Sequence, residues 1–508
     1  MKPVERKRPR AASDETVGDR GHEKLRESHG NPATVATEED AELRQYPGDK
    51  AAPVHKHAAG APKPAVEALQ REKHTDDAVL DDLQRKAFHF FERHVDPETG
   101  LVLDSTQPDS PSSIAAVGFA LSCYPVAVER GWMSRKLALS HSVAAARFFA
   151  NADQSGAPDG VGYKGFYYHF LHADTGRRAW ESELSTIDTA LLIAGFLLAA
   201  QYFSGDSAAE CEFRQLVQTI YARADWRWAQ DGEPSITMGW KPESGFLKCR
   251  WFGYNEALLL YVLALAASQF DVQPDAYEAW TSTFRWRRVY GHDVLYGGPL
   301  FIHQFSHVWL DLRGIQDEFM RGKKTDYFEN SRVSTLIQRE YGARNPRKFA
   351  GYEKDCWGFT ASDGPGDGKV LTVKGSDGKK RRHRFYGYIA RGAPYGPDDG
   401  TLSPWAAIAS LPFAPDIVMD AVRYLEKLIG HSPKGFGFHA SFNPSYPDGA
   451  PSGGWVSPWH YALNQGPIVL MIENYRTGLI WRLMRECAPI RLGLQRAGFE
   501  GGWLSTRA

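Results

Sequence analysis

Acidic side chains set among Trp, Tyr, Asn and His recur along this chain, several of them where an apolar helix begins. Burial disfavours a charge, so a carboxyl group in such a setting holds its proton more tightly than one in water. Two such groups can protonate a leaving oxygen and activate a water, or attack directly. That is the chemistry that breaks a glycosidic bond.

Six runs carry the pattern. In Trp180–Thr189, Trp180 and Glu181 offer an aromatic face and a carboxylate to a sugar, and Asp188 stands at the mouth of an apolar helix. Asp188 serves either the helix dipole or a substrate, or is itself catalytic. In Trp251–Glu256, Tyr254 and Asn255 lead into Glu256, just ahead of the apolar stretch Ala257–Val262. A general acid is the role that fits Glu256; helix-start stabilisation is the plainer one. In His303–Arg313, the side chains of His303, His307 and Asp311 recur every fourth residue, with Gln304 and Arg313 beside them. That spacing predicts one shared helical face. HxxxH without an adjacent catalytic Glu is a poor metal signature, so hydrogen bonds to sugar or a buried network are expected, and no metal. Glu329 in Tyr327–Arg332 is either a second catalytic carboxylate or a partner for Arg332. The Asp- and Gly-rich runs around Trp357, Asp363 and Asp399 form turns or a cleft rim. In Gly466–Arg476, Glu473 binds a hydroxyl or braces the fold, and Trp455 and Gln465 add an aromatic face and an amide nearby.

The elements that position these groups read as helices. From about Asp76, Leu80, Leu83, Ala87, Phe88 and Phe91 recur at spacings of three and four. Similar segments are predicted near 113–130, 135–151, 184–204, 207–224, 253–270, 302–313, 324–344, 402–411, 415–430 and 461–485. One short hairpin is predicted from Lys369–Lys374 and Arg382–Ile389. About a dozen helices with long Gly- and Trp-rich loops and no βαβ rhythm predict an all-α toroid whose loops gather at one end. The long connections 225–252 and 351–401 are expected to carry function. Residues 1–75 are rich in charge, Ala, Pro and Gly and nearly lack aromatics, so a disordered arm is expected ahead of one domain over 76–508.

Bulk composition narrows the field. The 15 Trp, 22 Tyr and 27 Phe supply flat faces that stack on sugar rings. A net charge of −1 gives no field that favours nucleic acid. No phosphate loop and no nucleophile elbow is present, so no cofactor is expected. The five Cys are scattered without CxxC spacing and are expected free. No apolar run is long enough to cross a bilayer. The basic start is followed by no apolar stretch, so no signal peptide is legible and a cytoplasmic location is expected, a periplasmic one following if the start codon is mis-annotated.

The runs STIDTALLIAG, YNEALLLYVLAL, PLFIHQFSHVWLDLRGI, DYFENSR, DCWGFTASDGP, DDGTLSPWAAIASLPFAPD and NQGPIVLMIENYRTGLIWR, in this order over about residues 80–490, resemble the glucoamylase-like domain. That domain occurs in bacterial endo-β-1,2-glucanases and in the transglycosylating part of cyclic β-1,2-glucan synthases. The resemblance implies an (α/α)6 barrel, no metal and β-1,2-glucan as substrate. It implies that Glu256 of the YNE run is the acid or an essential substrate-contacting carboxylate, that Asp188 lies in the cleft, and that Glu329 is another cleft candidate. One departure stands out: Gly437-Phe438-His439-Ala440-Ser441-Phe442-Asn443 has Ala440 where the hydrolases carry an acid. The chain then uses another base, or retains configuration and transfers (even cyclises) glycosyl groups, or only binds glucan.

Overall fold

The computed structural model describes residues 63–448 and 454–505, with side chains from Asp76 onward. The arm expected over 1–75 lies outside these residues, apart from the backbone of 63–75, which is helical.

The helices are α1 (Lys63–His94), α2 (Ile114–Glu129), α3 (Arg135–Asn151), α4 (Thr186–Tyr202), α5 (Ala208–Arg223), α6 (Leu258–Ala266), α7 (Pro274–Thr281), α8 (Phe305–Trp309), α9 (Glu318–Lys323), α10 (Tyr327–Arg344), α11 (Pro404–Ile408), α12 (Pro415–Leu428), α13 (Ala462–Arg476), α14 (Leu479–Arg485) and α15 (Ala488–Arg496). Two kinds alternate. In α2, α4, α6, α8, α11 and α13 nearly every residue is buried. A helix apolar all round must be enclosed by others. In α3, α5, α7, α10 and α12 burial is confined to part of the surface, as a helix between core and water requires.

The six enclosed helices form a ring. Helix α2 packs on α4, α4 on α6, α11 on α13, and α13 on α2. Ser306 of α8 accepts from Leu259 N–H of α6 at 3.2 Å. Gln304, just before α8, donates to the Ala406 carbonyl of α11 at 2.6 Å. The outer helices complete an (α/α)6 barrel. Its interior is filled: Phe119 of α2 meets Phe305 and Trp309 of α8 at 5.6 and 5.2 Å, and Trp309 Nε1 donates across the ring to Ser122. The α2–α4 crossing needs glycine on both sides. A Cβ on Gly195 would sit 2.2 Å from the Gly118 carbonyl oxygen, and one on Gly118 2.4 Å from that of Leu191.

The strands pair in twos and threes within the loops. The expected hairpin is present as Val370–Lys374 against Lys380–Arg384. Other expectations need correction. The stretch 461–485 is two helices, broken where Gly478 takes a left-handed φ of 67°. Helix α6 is shorter than 253–270. The stretch 302–313 is not one helix: a 3-10 turn (Leu300–His303) meets α8 at Gln304, and the chain turns extended at Leu310. His303, His307 and Asp311 therefore share no helical face. Helices α7, α9 and α15 fall outside the predicted segments. All five Cys are free. Among the described residues no helix is long and apolar enough to cross a membrane.

Substituting Gly195 by Ala should cost about 1–3 kcal/mol through overpacking at the α2–α4 crossing. A lowered urea midpoint at unchanged m-value checks this.

Candidate active site

The inner helices all run away from one end of the barrel, and a pocket of about 910 Å³, open to solvent, lies there. Its walls come from the starts of those helices and the loops before them: Asp104, His169, Glu183, Asp188, Glu256, Asn464 and the rings of Phe170, Phe301, Phe305, Tyr388, Trp405 and Tyr461.

Asp188 is set by the start of α4. Ser185 caps the helix, its Oγ accepting from Asp188 N–H at 3.1 Å and donating to Asp188 Oδ2 at 2.5 Å. Thr186 ties this turn to the Thr237 carbonyl and accepts from Trp251 Nε1. Glu256 is presented by a turn that Asn255 builds, donating to the Phe252 carbonyl and accepting from Ala257 N–H. Ser306 donates to the Glu256 carbonyl at 3.0 Å, so α8 fixes its backbone. His169 sits on a strand-edge loop whose N–H donates to the Glu183 carbonyl. Its Nδ1 meets Glu183 Oε1 at 3.1 Å and its Nε2 faces Asp188 Oδ2 at 3.5 Å.

The electrostatics follow. Burial pushes Glu256 up to about 7, and the Asp188 charge adds to it. Glu256 Oε2 is buried and has no hydrogen-bond partner among the described residues. Burial also raises Asp104 to about 6, with His169 opposing and Asp188 adding. Burial works against a charged His169, yet Asp188, Glu183 and Asp104 outweigh it and hold the ring at about 9. Burial works against an ionised Glu183 as well, and the His169 contact overcomes it. His169 is thus the cation among the described pocket-lining side chains.

A second cavity of about 990 Å³ shares Phe301 with the first. It is lined by Phe252, Tyr254, Asn255, Arg287, Tyr296 and Tyr395 among others. Phe252 and Tyr395 are 57% and 44% exposed, and Arg287 lies over the rings of Tyr296 and Tyr395 at 5.5 and 5.6 Å.

Of the residues expected from sequence, Glu256 and Asp188 line the first cavity and Tyr254 and Asn255 the second. Trp180 packs on Phe170 at 5.1 Å, beside the opening; it and Glu181 hold left-handed φ values of 56° and 51°. Gln465 is buried one residue beyond Asn464. Asp363 lies behind the wall, accepting from Ser441 and Ser457, and Trp455 pairs with Asn443 in the adjoining strands.

The other expected residues line neither cavity. Glu329 is paired with Arg332 at 2.7 Å on an outer helix. His303 Nε2 bonds the Gly297 carbonyl and His307 bonds Ser331; burial lowers these rings to about 4 and about 3. Gln304 braces α11. Asp311 pairs with Arg313 and Arg485, and Arg313 lies on the Trp481 ring, beyond the end of α8 away from the cavity. Glu473 is held by Arg130 and Gln84. Trp357 is fully buried, and Asp399 is locked to Arg391. Among the described residues no cluster of His, Cys, Asp or Glu is placed to hold a metal ion.

Sequence reasoning passed over Asp104, His169, Tyr388 and Tyr461, and named Glu183 without singling it out. His169 had a signal, the aromatic run Phe166-Tyr167-Tyr168-His169-Phe170. Asp104 had none, lying in a Ser- and Pro-rich stretch.

Comparison with known proteins fits this architecture. Residues 248–488 match the Glycoamylase family, described as "putative glucoamylase". Over this span the chain is similar to that family. It is 28% identical over 458 residues to an exo beta-1,2-glucooligosaccharide sophorohydrolase (non-reducing end) from Parabacteroides distasonis, covering 83% of this chain. The match spans 58% of that relative's length. A crystal structure from Bacteroides uniformis, described as a "putative glucoamylase", superposes with a TM-score of 0.73 at 28% identity, covering 85% of this chain and 99% of the other. An endo-beta-1,2-glucanase from Chitinophaga pinensis, in complex with sophorotriose and glucose, superposes with a TM-score of 0.69 at 25% identity, covering 84% and 99%. The matched residues include α6 through α14 and contribute Glu256, Trp405 and Asn464 to the cavity.

The charge state of His169 gives a test. Its value is raised from 6.5 to about 9 in the fold. The stability it contributes is complete below pH 6.5 and is lost as pH rises to about 9. Unfolding free energy should therefore fall over that window, and His169→Gln should flatten the fall.

Proposed function

We propose that this chain is a glycoside hydrolase acting on β-1,2-linked glucose chains, with Glu256 as the proton donor. The observation that carries the reading is the Glu256 carboxyl, buried at a cavity wall with Oε2 unpartnered and held near 7 by burial. A carboxyl group in that state holds its proton up to near neutral pH and can give it to a departing sugar oxygen.

The rest of the cavity suits a sugar. Phe170, Phe301, Phe305, Tyr388, Trp405 and Tyr461 provide faces for C–H surfaces. Asp188, tied to Ser185 and facing His169, provides negative charge for the oxocarbenium-like transition state. The linkage comes from the relatives: one is named a beta-1,2-glucooligosaccharide sophorohydrolase and another an endo-beta-1,2-glucanase. Both names describe hydrolysis, which favours it over glycosyl transfer. A pure binding protein has no use for a carboxyl kept protonated at neutral pH.

Glu256→Gln should lower kcat/KM on linear β-1,2-gluco-oligosaccharides by about 10²–10⁴. In the wild type, kcat/KM should fall as pH rises through about 7, because Glu256 loses the proton it donates. Product analysis by mass over a pH series checks both. Wild-type activity on β-1,2 chains that Glu256→Gln leaves intact overturns the assignment.

A further inference from the structure

Hydrogen bonding separates the four carboxyl groups of the cavity. Glu183 is bonded by His169 Nδ1. Asp188 accepts from Ser185 and faces His169 Nε2. Glu256 is the acid of the proposed function. Asp104 is the fourth. Its backbone is pinned on both sides: the N–H donates to the Pro111 carbonyl and the carbonyl accepts from Ala462 N–H, each at 2.8 Å. Ala462 opens α13, so Asp104 is fixed to the start of that helix. The side chain lines the cavity and the residue is only 6% exposed. Among the described residues its carboxylate accepts no hydrogen bond. A carboxylate so placed draws its donors from whatever occupies the cavity.

The ring gives its direction. In the order α2, α4, α6, α8, α11, α13, the start of α13 stands opposite the start of α6, which carries Glu256. Asp188 on α4 lies between them and acts on both.

We infer that Asp104 is the base of the reaction, taking the proton of the water that attacks the anomeric carbon while Glu256 protonates the leaving oxygen. The inference rests on the hydrolytic reading of the cavity. The step balances. The water oxygen bonds to C1, its proton passes to Asp104, the C1–O bond breaks, and the Glu256 proton goes to the released sugar. Proton exchange with solvent then resets both groups. Carboxyl groups on opposite walls leave room for that water, the arrangement of inverting enzymes, whose pairs stand about 6.5–9.5 Å apart. Asp104 at about 6 and Glu256 at about 7 also leave a window in which the base is ionised and the acid protonated.

The test uses the full chain and Asp104→Asn on linear β-1,2-gluco-oligosaccharides, with the first-formed product followed by NMR. The variant should lose about 10²–10⁴ in kcat with KM nearly unchanged. It should lose the acidic limb of the pH profile and regain part of its rate with added azide, which Glu256→Gln should not. The wild type should release the α anomer first. A variant within about tenfold of wild type, or a β anomer released first, overturns the assignment. The anomer measurement needs no variant, so it stands even if Asp104→Asn fails to fold. Cleavage of a β-1,3 or β-1,4 chain in place of β-1,2 overturns only the linkage, and Asp104→Asn is then read on that chain. A wild type that cleaves none of the three overturns the proposed function and this assignment with it.

Discussion

Taking a carboxylate out of water costs several kcal/mol unless a partner compensates. The cavity gathers Asp104, Glu183, Asp188 and Glu256 against one imidazole. A single cation cannot balance four anions in a space walled by aromatic rings. The arrangement is stable because the four are not all ionised together. His169 spends its two nitrogens on Glu183 and Asp188. Glu256, buried with an oxygen that no described residue bonds, keeps its proton to about 7. The Glu256 proton is thus held chiefly by burial, with the neighbouring Asp188 charge adding to it.

Such a balance holds only if the walls do not move. Arg391 is fully buried behind the cavity. It donates to Asp399 through Nε and Nη2 at 2.7 and 2.9 Å, and to the carbonyls of Ser362 and Gly387. One guanidinium therefore ties together the strand carrying Ala361 and the loop carrying Tyr388, both of which face the cavity. Planar, always charged and five-donored, arginine suits this task better than lysine. Asp399, whose run reads from sequence as a turn or cleft rim, acts as its counter-charge.

Much of this was legible in the sequence. Helices buried on all sides announce themselves as long apolar runs, and α2, α4 and α13 are such runs. The sequence places Asp188 at the mouth of an apolar helix, and Ser185 caps that helix there. Short elements were not legible: α8 is five residues long, and a periodic pattern cannot show that a helix is broken at Gln304. Asp104 was illegible for another reason. Its position comes from two backbone bonds to distant segments, and no local spacing encodes those.

The sequence also could not separate acids that face the cavity from acids that brace the barrel, since both sit beside aromatics at helix edges. Chain direction separates them once the ring is known. Inner helices start at the cavity, so an acid just before or within the first turn points in: Asp188 and Glu256 do. An acid past the last turn points away: Asp311 follows α8 and is held by two arginines, and Glu473 near the end of α13 is held by Arg130. Physics supports the sorting. The partial positive charge of a helix start favours an anion and the partial negative charge of a helix end repels one, so the bracing acids require arginine partners and the cavity acids do not. That leaves Asp188 paired with a titratable imidazole and Asp104 with no hydrogen-bond donor from the described chain, which keeps their oxygens available to chemistry.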